Sequence, residues 1–159
     1  MPKPILLAGD IPTVEWVHKW PDLRIDEIKT IEKMTIQVLD LTNLMMSHLW
    51  HFHKISHRIN SDYREGDDGE HGKGNALDVV LFKSKPGDIH CIIQYCIANQ
   101  FDFGGLGFYP FWKTPGIHID CREKKNPRST WWADIKGRYH SIDEISDFRA
   151  FLNGGNILI

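Results

Sequence analysis

The sequence predicts a single α+β domain. Three observations carry this: stretches with helical periodicity and stretches with strand periodicity coexist, they follow one another without regular alternation, and no linker splits the chain. A length of 159 residues suits one domain and lets a core form without disulfide staples. Hydrophobic residues make up 42% and charged residues 25%, ordinary globular usage that excludes disorder across the chain.

Taken in order, residues 1–24 hold Pro2, Pro4, Pro12 and Pro21 with Trp16 and Trp20, which reads as an irregular lead-in packed by aromatics. Residues 26–33 suit a short helix. Over residues 35–52 the apolar positions Val38, Leu41, Leu44, Met45, Leu49 and Phe52 recur at steps of three and four, the stripe of an amphipathic helix. Residues 55–60 alternate and suit a strand. Residues 62–73 are polar and glycine-rich, hence a loop. Residues 76–82 form a compact apolar run that reads as a buried strand, interrupted by Asp78. Residues 84–88 start a helix whose stripe is Ile89, Ile92, Ile93, Cys96 and Ile97. Residues 103–109 are glycine-rich and aromatic. Residues 116–122 alternate Ile117, Ile119 and Cys121 against His118, Asp120 and Arg122, a strand with one polar face. Ser141 and Glu144 form a capping box for a last helix carrying Ile142, Ile145, Phe148 and Leu152. Residues 1–34 are thus a lead-in segment of the same domain, and residues 35–159 its body.

Several function classes fall away. A formal net charge of −2 argues against a basic nucleic-acid footprint. No apolar run approaches the roughly 18 residues of a membrane span. The N-terminal residues lack a secretory apolar core and cleavage site, so the expectation is synthesis in the cytoplasm. Cys91, Cys96 and Cys121 are odd in number and include no CxxC pair, so free thiols are expected.

Chemistry concentrates in two segments that place His and Asp beside glycines: residues 71–78 and residues 116–120. A carboxylate inside an apolar strand is costly unless it is paired or bound to a cation. Asp78 therefore needs a partner. One zinc ion held by His71, Asp78 and His118 would satisfy it and keep a fourth position open. Gly72 and Gly74 permit the tight backbone that brings His71 back over the strand. The alternative is an arginine paired with Asp78 and an exposed loop histidine at position 71.

The same residues carry a resemblance. Ser61-Asp62-Tyr63-Arg64, then Gly69-Glu70-His71-Gly72-Lys73-Gly74-Asn75-Ala76-Leu77-Asp78, then Gly104-Gly105-Leu106-Gly107-Phe108-Tyr109-Pro110 and Gly116-Ile117-His118-Ile119-Asp120 occur in that order. Over residues 35–133 this resembles the zinc D-Ala-D-Ala carboxypeptidases and L-alanyl-D-glutamate endopeptidases of the M15 peptidase family, whose fold is shared with hedgehog signalling domains. Gly69 departs from the family's serine. The resemblance implies a small antiparallel sheet with flanking helices, and His71, Asp78 and His118 as ligands of one Zn²⁺. It implies Arg64 near the site as an oxyanion stabiliser, and hydrolysis of peptidoglycan stem peptides as a D-Ala-D-Ala carboxypeptidase or an endopeptidase. The lack of an export signal suits an endolysin-type enzyme of phage or prophage, and a monomer is expected.

Many members carry an acidic base three residues before the last His, where this chain has Pro115. Asp120 is then the first candidate base, or else it orients a ligand histidine. Glu70 and Glu123 rank behind it. Ser61, Tyr63, Tyr109 and Trp131 are candidate substrate contacts, with core or rim packing as the alternative for the aromatics. The rival function is a non-catalytic zinc module binding a wall fragment or a protein partner. An iron site on His118 and Asp120 would leave Asp78 unexplained. The cluster His48, His51, His53 and His57 reads as a polar helix end.

Overall fold

A 3₁₀ turn, Ala8–Asp10, precedes helix α1 (Thr13–Lys19), and α2 (Ile36–His48) runs on through a π-helical turn, Leu49–His53. Among the described residues six strands follow: β1 (Ser56–Ser61), β2 (Ala76–Phe82), β3 (Gly105–Tyr109), β4 (Gly116–Asp120), β5 (Ser129–Ala133) and β6 (Tyr139–Ser141). They form one sheet in the order β1-β2-β4-β3-β5-β6. This computed structural model describes residues 5–82, 103–123 and 129–141. Together these elements make one small α+β domain. The helices expected at residues 84–97 and 142–152, with Cys91 and Cys96, lie outside the described residues.

The sheet is mixed, which corrects the expected antiparallel one. β3 and β5 run parallel, with Gly107 opposite Trp131, while the other neighbours are antiparallel. Strand alternation then sorts the side chains. Leu77, Val79 and Leu81 of β2, Ile117 and Ile119 of β4, Leu106 and Phe108 of β3 and Trp132 of β5 join the core. Asp78 and His118 face the other side as direct cross-strand partners.

Helix α2 covers the core face with Val38, Leu39, Leu41, Thr42, Met45 and Met46. Thr35 caps it, accepting from the Val38 N–H at 3.4 Å. The helix gives way to the π turn and stops where Lys54 takes a left-handed conformation, φ 56°.

The lead-in is part of this core. Trp20 is buried and donates Nε1–H to Asp40 at 2.7 Å; Ala8, Leu23, Ile28, Ile31 and Met34 are buried with it. Its helix α1 was not legible because it buries no residue: Val14 and Val17 are exposed, so no apolar stripe marks it. In place of the short helix expected at residues 26–33 there are two 3₁₀ turns, Ile25–Glu27 and Ile31–Lys33. Ile25, Ile28, Ile31 and Met34 recur every three residues, which matches the 3₁₀ period rather than 3.6. The first turn also shields the outer edge of β1, where Glu27 accepts the Ile59 N–H at 2.8 Å.

His57, on β1, gives a first prediction. Burial, with some help from the Arg24 charge and against that of Asp22, lowers its imidazole to about 4. Among the described residues its Nε2 is buried without a hydrogen-bond partner. Between pH 6.5 and 4 the unfolded chain therefore binds more protons at this position than the folded one, so stability falls as pH falls through that window. The loss is on the order of 1–2 kcal/mol after solvent screening is allowed for. Urea unfolding of His57→Met across this window should show a shallower pH dependence than wild type; an equal slope would assign the effect to other groups.

Candidate metal centre

β2 and β4 present Asp78 and His118 side by side, and the loop between β1 and β2 folds back to bring His71 onto them. All three are buried, and one ligand-type atom from each lies within 4.8 Å of the other two. Among the described residues this is the one such group of three or more. It contributes to the floor of a cleft of about 330 Å³, lined also by Arg64, Tyr109, Trp112, Arg122, Trp131 and Tyr139.

Hydrogen bonds assign the histidine atoms. His71 Nδ1 lies 2.7 Å from the Asp62 carbonyl and donates to it, which leaves Nε2, 3.3 Å from Asp78 Oδ2, as the ring nitrogen that faces the other two residues. His118 lies between two carboxylates, with Nδ1 2.9 Å from Asp78 Oδ1 and Nε2 3.0 Å from Asp120 Oδ2. Burial works to neutralise His118, but its bonds to Asp120 and Asp78 win and raise its pKa. Burial likewise opposes the charge of Asp78, but bonds from His118 and His71 outweigh it and hold the carboxyl well below the usual range. Two imidazoles and a carboxylate converge, each turning a ligand-type atom toward the others, a set that fits a divalent cation preferring nitrogen and oxygen ligands.

Asp78 has an arginine partner and at the same time belongs to the three-residue group. Arg64 Nη2 donates to Asp78 Oδ2 at 2.9 Å, so an arginine does pair with it, yet His71 is buried on the same carboxylate. Arg64 is half-exposed, with Asp67 3.8 Å away. Ser61 Oγ accepts from Arg64 Nε at 2.9 Å, which places Ser61 behind the guanidinium. Tyr63 packs against the core under Lys33, whose Nζ is 4.7 Å from the ring centre, and is not part of the cleft lining.

Tyr109 and Trp131 do line the cleft. Trp131 Nε1 donates to Tyr109 Oη at 3.3 Å, and burial pushes the Tyr109 phenol up to about 12. Trp131 lies over Gly107, where an added Cβ would fall 2.4 Å from the indole. Trp132, one residue on, points into the core.

Asp120 is fully buried. Hydrogen bonds from His118 and Arg122 overcome the effect of burial and hold its carboxyl at about 2. Of the weaker base candidates, Glu70 is bound to Lys73 and Asn75, and Glu123 lines a different cavity. Pro115 contributes a carbonyl that accepts from the Leu81 N–H at 2.8 Å. His48 stacks near Phe52 and His53, away from the three-residue group.

Of the charged and aromatic residues lining the cleft, Arg122, Trp112 and Tyr139 were not singled out from the sequence. Arg122 continues the polar alternation of His118 and Asp120, and that period could have found it. Trp112, stacked on Tyr109 with ring centres 4.3 Å apart, sits in a turn. Tyr139 belongs to a three-residue strand too short to carry a pattern. Compared with known proteins, the chain matches no family model, no curated protein and no solved structure.

Proposed function

We propose that this protein is a zinc-dependent hydrolase of peptide bonds in bacterial peptidoglycan stem peptides, resembling the M15 peptidases and their hedgehog-type fold. The observation that carries the reading is the buried convergence of His71, Asp78 and His118 on an open cleft. His71 Nε2, an Asp78 oxygen and one His118 nitrogen would hold the ion. Zinc in such a setting supplies Lewis acidity, polarising a carbonyl and activating water for attack.

The chain's own residues supply the rest. The Arg64 guanidinium reaches the cleft beside Asp78 and offers donors to an oxygen gaining negative charge. Tyr109 holds its proton throughout the neutral range and is suited to donate a hydrogen bond to a substrate carbonyl. Trp131, Trp112 and Tyr139 give the cleft an aromatic wall against which a stem peptide can pack. Asp120 is the nearest further carboxylate to His118.

One observation favours a second reading, a non-catalytic zinc module that binds wall fragments or a protein partner. Among the described residues lining the cleft, Asp78 is the sole carboxylate. Turnover separates the two. Zinc-loaded protein incubated with purified peptidoglycan between pH 6 and 9 is expected to release new free amines. Absence of release with zinc bound would establish the binding module instead.

A further inference from the structure

We infer that Asp120 and Arg122 are a positioning pair: Asp120 accepts the Nε2 proton of His118, Arg122 locks Asp120, and His118 is thereby presented to the metal through Nδ1. This rests on the metal-centre reading above and extends it to residues that touch no ion.

The His118 ring is the first ground. Its two nitrogens face different carboxylates, Nδ1 toward Asp78 and Nε2 toward Asp120. An ionised carboxylate only accepts, so each contact calls for a proton on its nitrogen; an ion on the side of Asp78 and His71 displaces the Nδ1 proton, while the Asp120 contact keeps the one on Nε2. Once His118 serves as a neutral ligand, its lone pair is on Nδ1, the atom on the side of Asp78 and His71. A buried carboxylate on the far nitrogen fixes both the tautomer and the ring angle.

The second ground is the saturation of Asp120. Its Oδ1 accepts the Arg122 backbone N–H at 3.1 Å and Nε at 2.9 Å. Its Oδ2 accepts from Arg122 Nε at 2.8 Å, from Arg122 Nη2 and from His118. A carboxylate held by a guanidinium fork, fully buried and absent from the cleft lining, has no oxygen directed at a reacting water. Arg122 is itself braced, its guanidinium carbon lying 5.3 Å from the centre of the Trp131 ring.

The third ground is that the fold makes room for this pair. A Cβ on Gly105 would stand 2.5 Å from Asp120 Oδ2 and 2.8 Å from Arg122 Nε. Glycine at this β3 position is what lets the carboxylate and guanidinium lie over the strand.

The experiment measures zinc affinity by chelator competition, together with a long-range ¹H–¹⁵N correlation of the His118 ring in the zinc-loaded protein. Asp120→Ala is expected to weaken zinc binding about 10–100-fold. Asp120→Asn, whose amide oxygen can still accept from Nε2, should recover part of that loss, and Arg122→Ala should weaken binding by less than Asp120→Ala. In wild type the spectrum should show Nε2 protonated and Nδ1 as the ligand nitrogen; this needs no variant to fold. Zinc ligated through Nε2, or an unchanged affinity in a folded Asp120→Ala, overturns the positioning role and leaves the metal centre intact. Failure of wild type to bind zinc overturns both.

Discussion

Asp78→Asn is expected to leave the protein without bound metal and without hydrolytic activity. Asp78 is the hub of the site: one oxygen faces His118, and the other is shared by His71 and Arg64. The amide keeps the shape and one accepting oxygen but loses the charge that offsets a divalent cation. Zinc affinity should drop by more than about 100-fold, beyond the range typical of residues that only orient a ligand. Elemental analysis after dialysis against a chelator checks this, with about one zinc per chain in wild type and essentially none in the variant. Retention of stoichiometric zinc would remove Asp78 from the ligand set. The variant should also be less stable, because His118 and Arg64 each lose one carboxylate partner, His118 keeping Asp120 and Arg64 keeping Asp67 at 3.8 Å. Leaving a buried charge unpaired costs about 3–5 kcal/mol; the surviving Asp120 contact and the exposure of Arg64 put this case below that range. Unfolding measured in parallel therefore separates a lost ligand from a lost fold.

What the sequence revealed and what it hid divide along physical lines. Local period was readable: the apolar run of β2, the alternation of β4 and most of the stripe of α2 specify their own secondary structure, although Leu44 and Phe52 of that stripe are exposed. The anomaly of Asp78 was readable too, since a charge in an apolar strand demands a partner whatever the fold. Strand order was not readable. The parallel pairing of β3 with β5 is a long-range choice, and neither strand carries a direction in its own residues. The glycines of β3 marked it as unusual, but their reason lies elsewhere, in the Trp131 indole above Gly107 and the Asp120–Arg122 pair above Gly105. The π turn after His48 was hidden because a helical stripe does not distinguish one added residue per turn. At the site, the role of Asp120 stayed open in sequence because two residues along a strand give the same face but not which nitrogen of His118 it meets.

Two glycines in the loop that carries His71 should respond very differently to alanine. A Cβ at Gly72 would fall 1.6 Å from the Asp67 carbonyl oxygen and 2.6 Å from its carbon. Both are backbone atoms, so relief requires the turn itself to move, not a side chain to swing aside. That turn is bonded to the site: the Arg64 and Gly74 N–H groups both donate to the His71 carbonyl, at 3.2 and 3.1 Å. His71 is further tied through Nδ1 to Asp62. Displacing residue 72 therefore displaces the neighbouring ligand and the segment bearing Arg64. Gly72→Ala is expected to cost on the order of 2–4 kcal/mol of stability. It should also weaken zinc binding at least about tenfold, as loss of orientation at a ligand does. Gly66 is the internal control. Its φ is +79°, yet an added Cβ meets nothing within 4 Å. Gly66→Ala should then cost only the left-handed penalty of about 1–2 kcal/mol and leave zinc affinity unchanged. Equal zinc affinities in the two variants would show that the backbone packing at Gly72 does not hold His71 in register with Asp78 and His118.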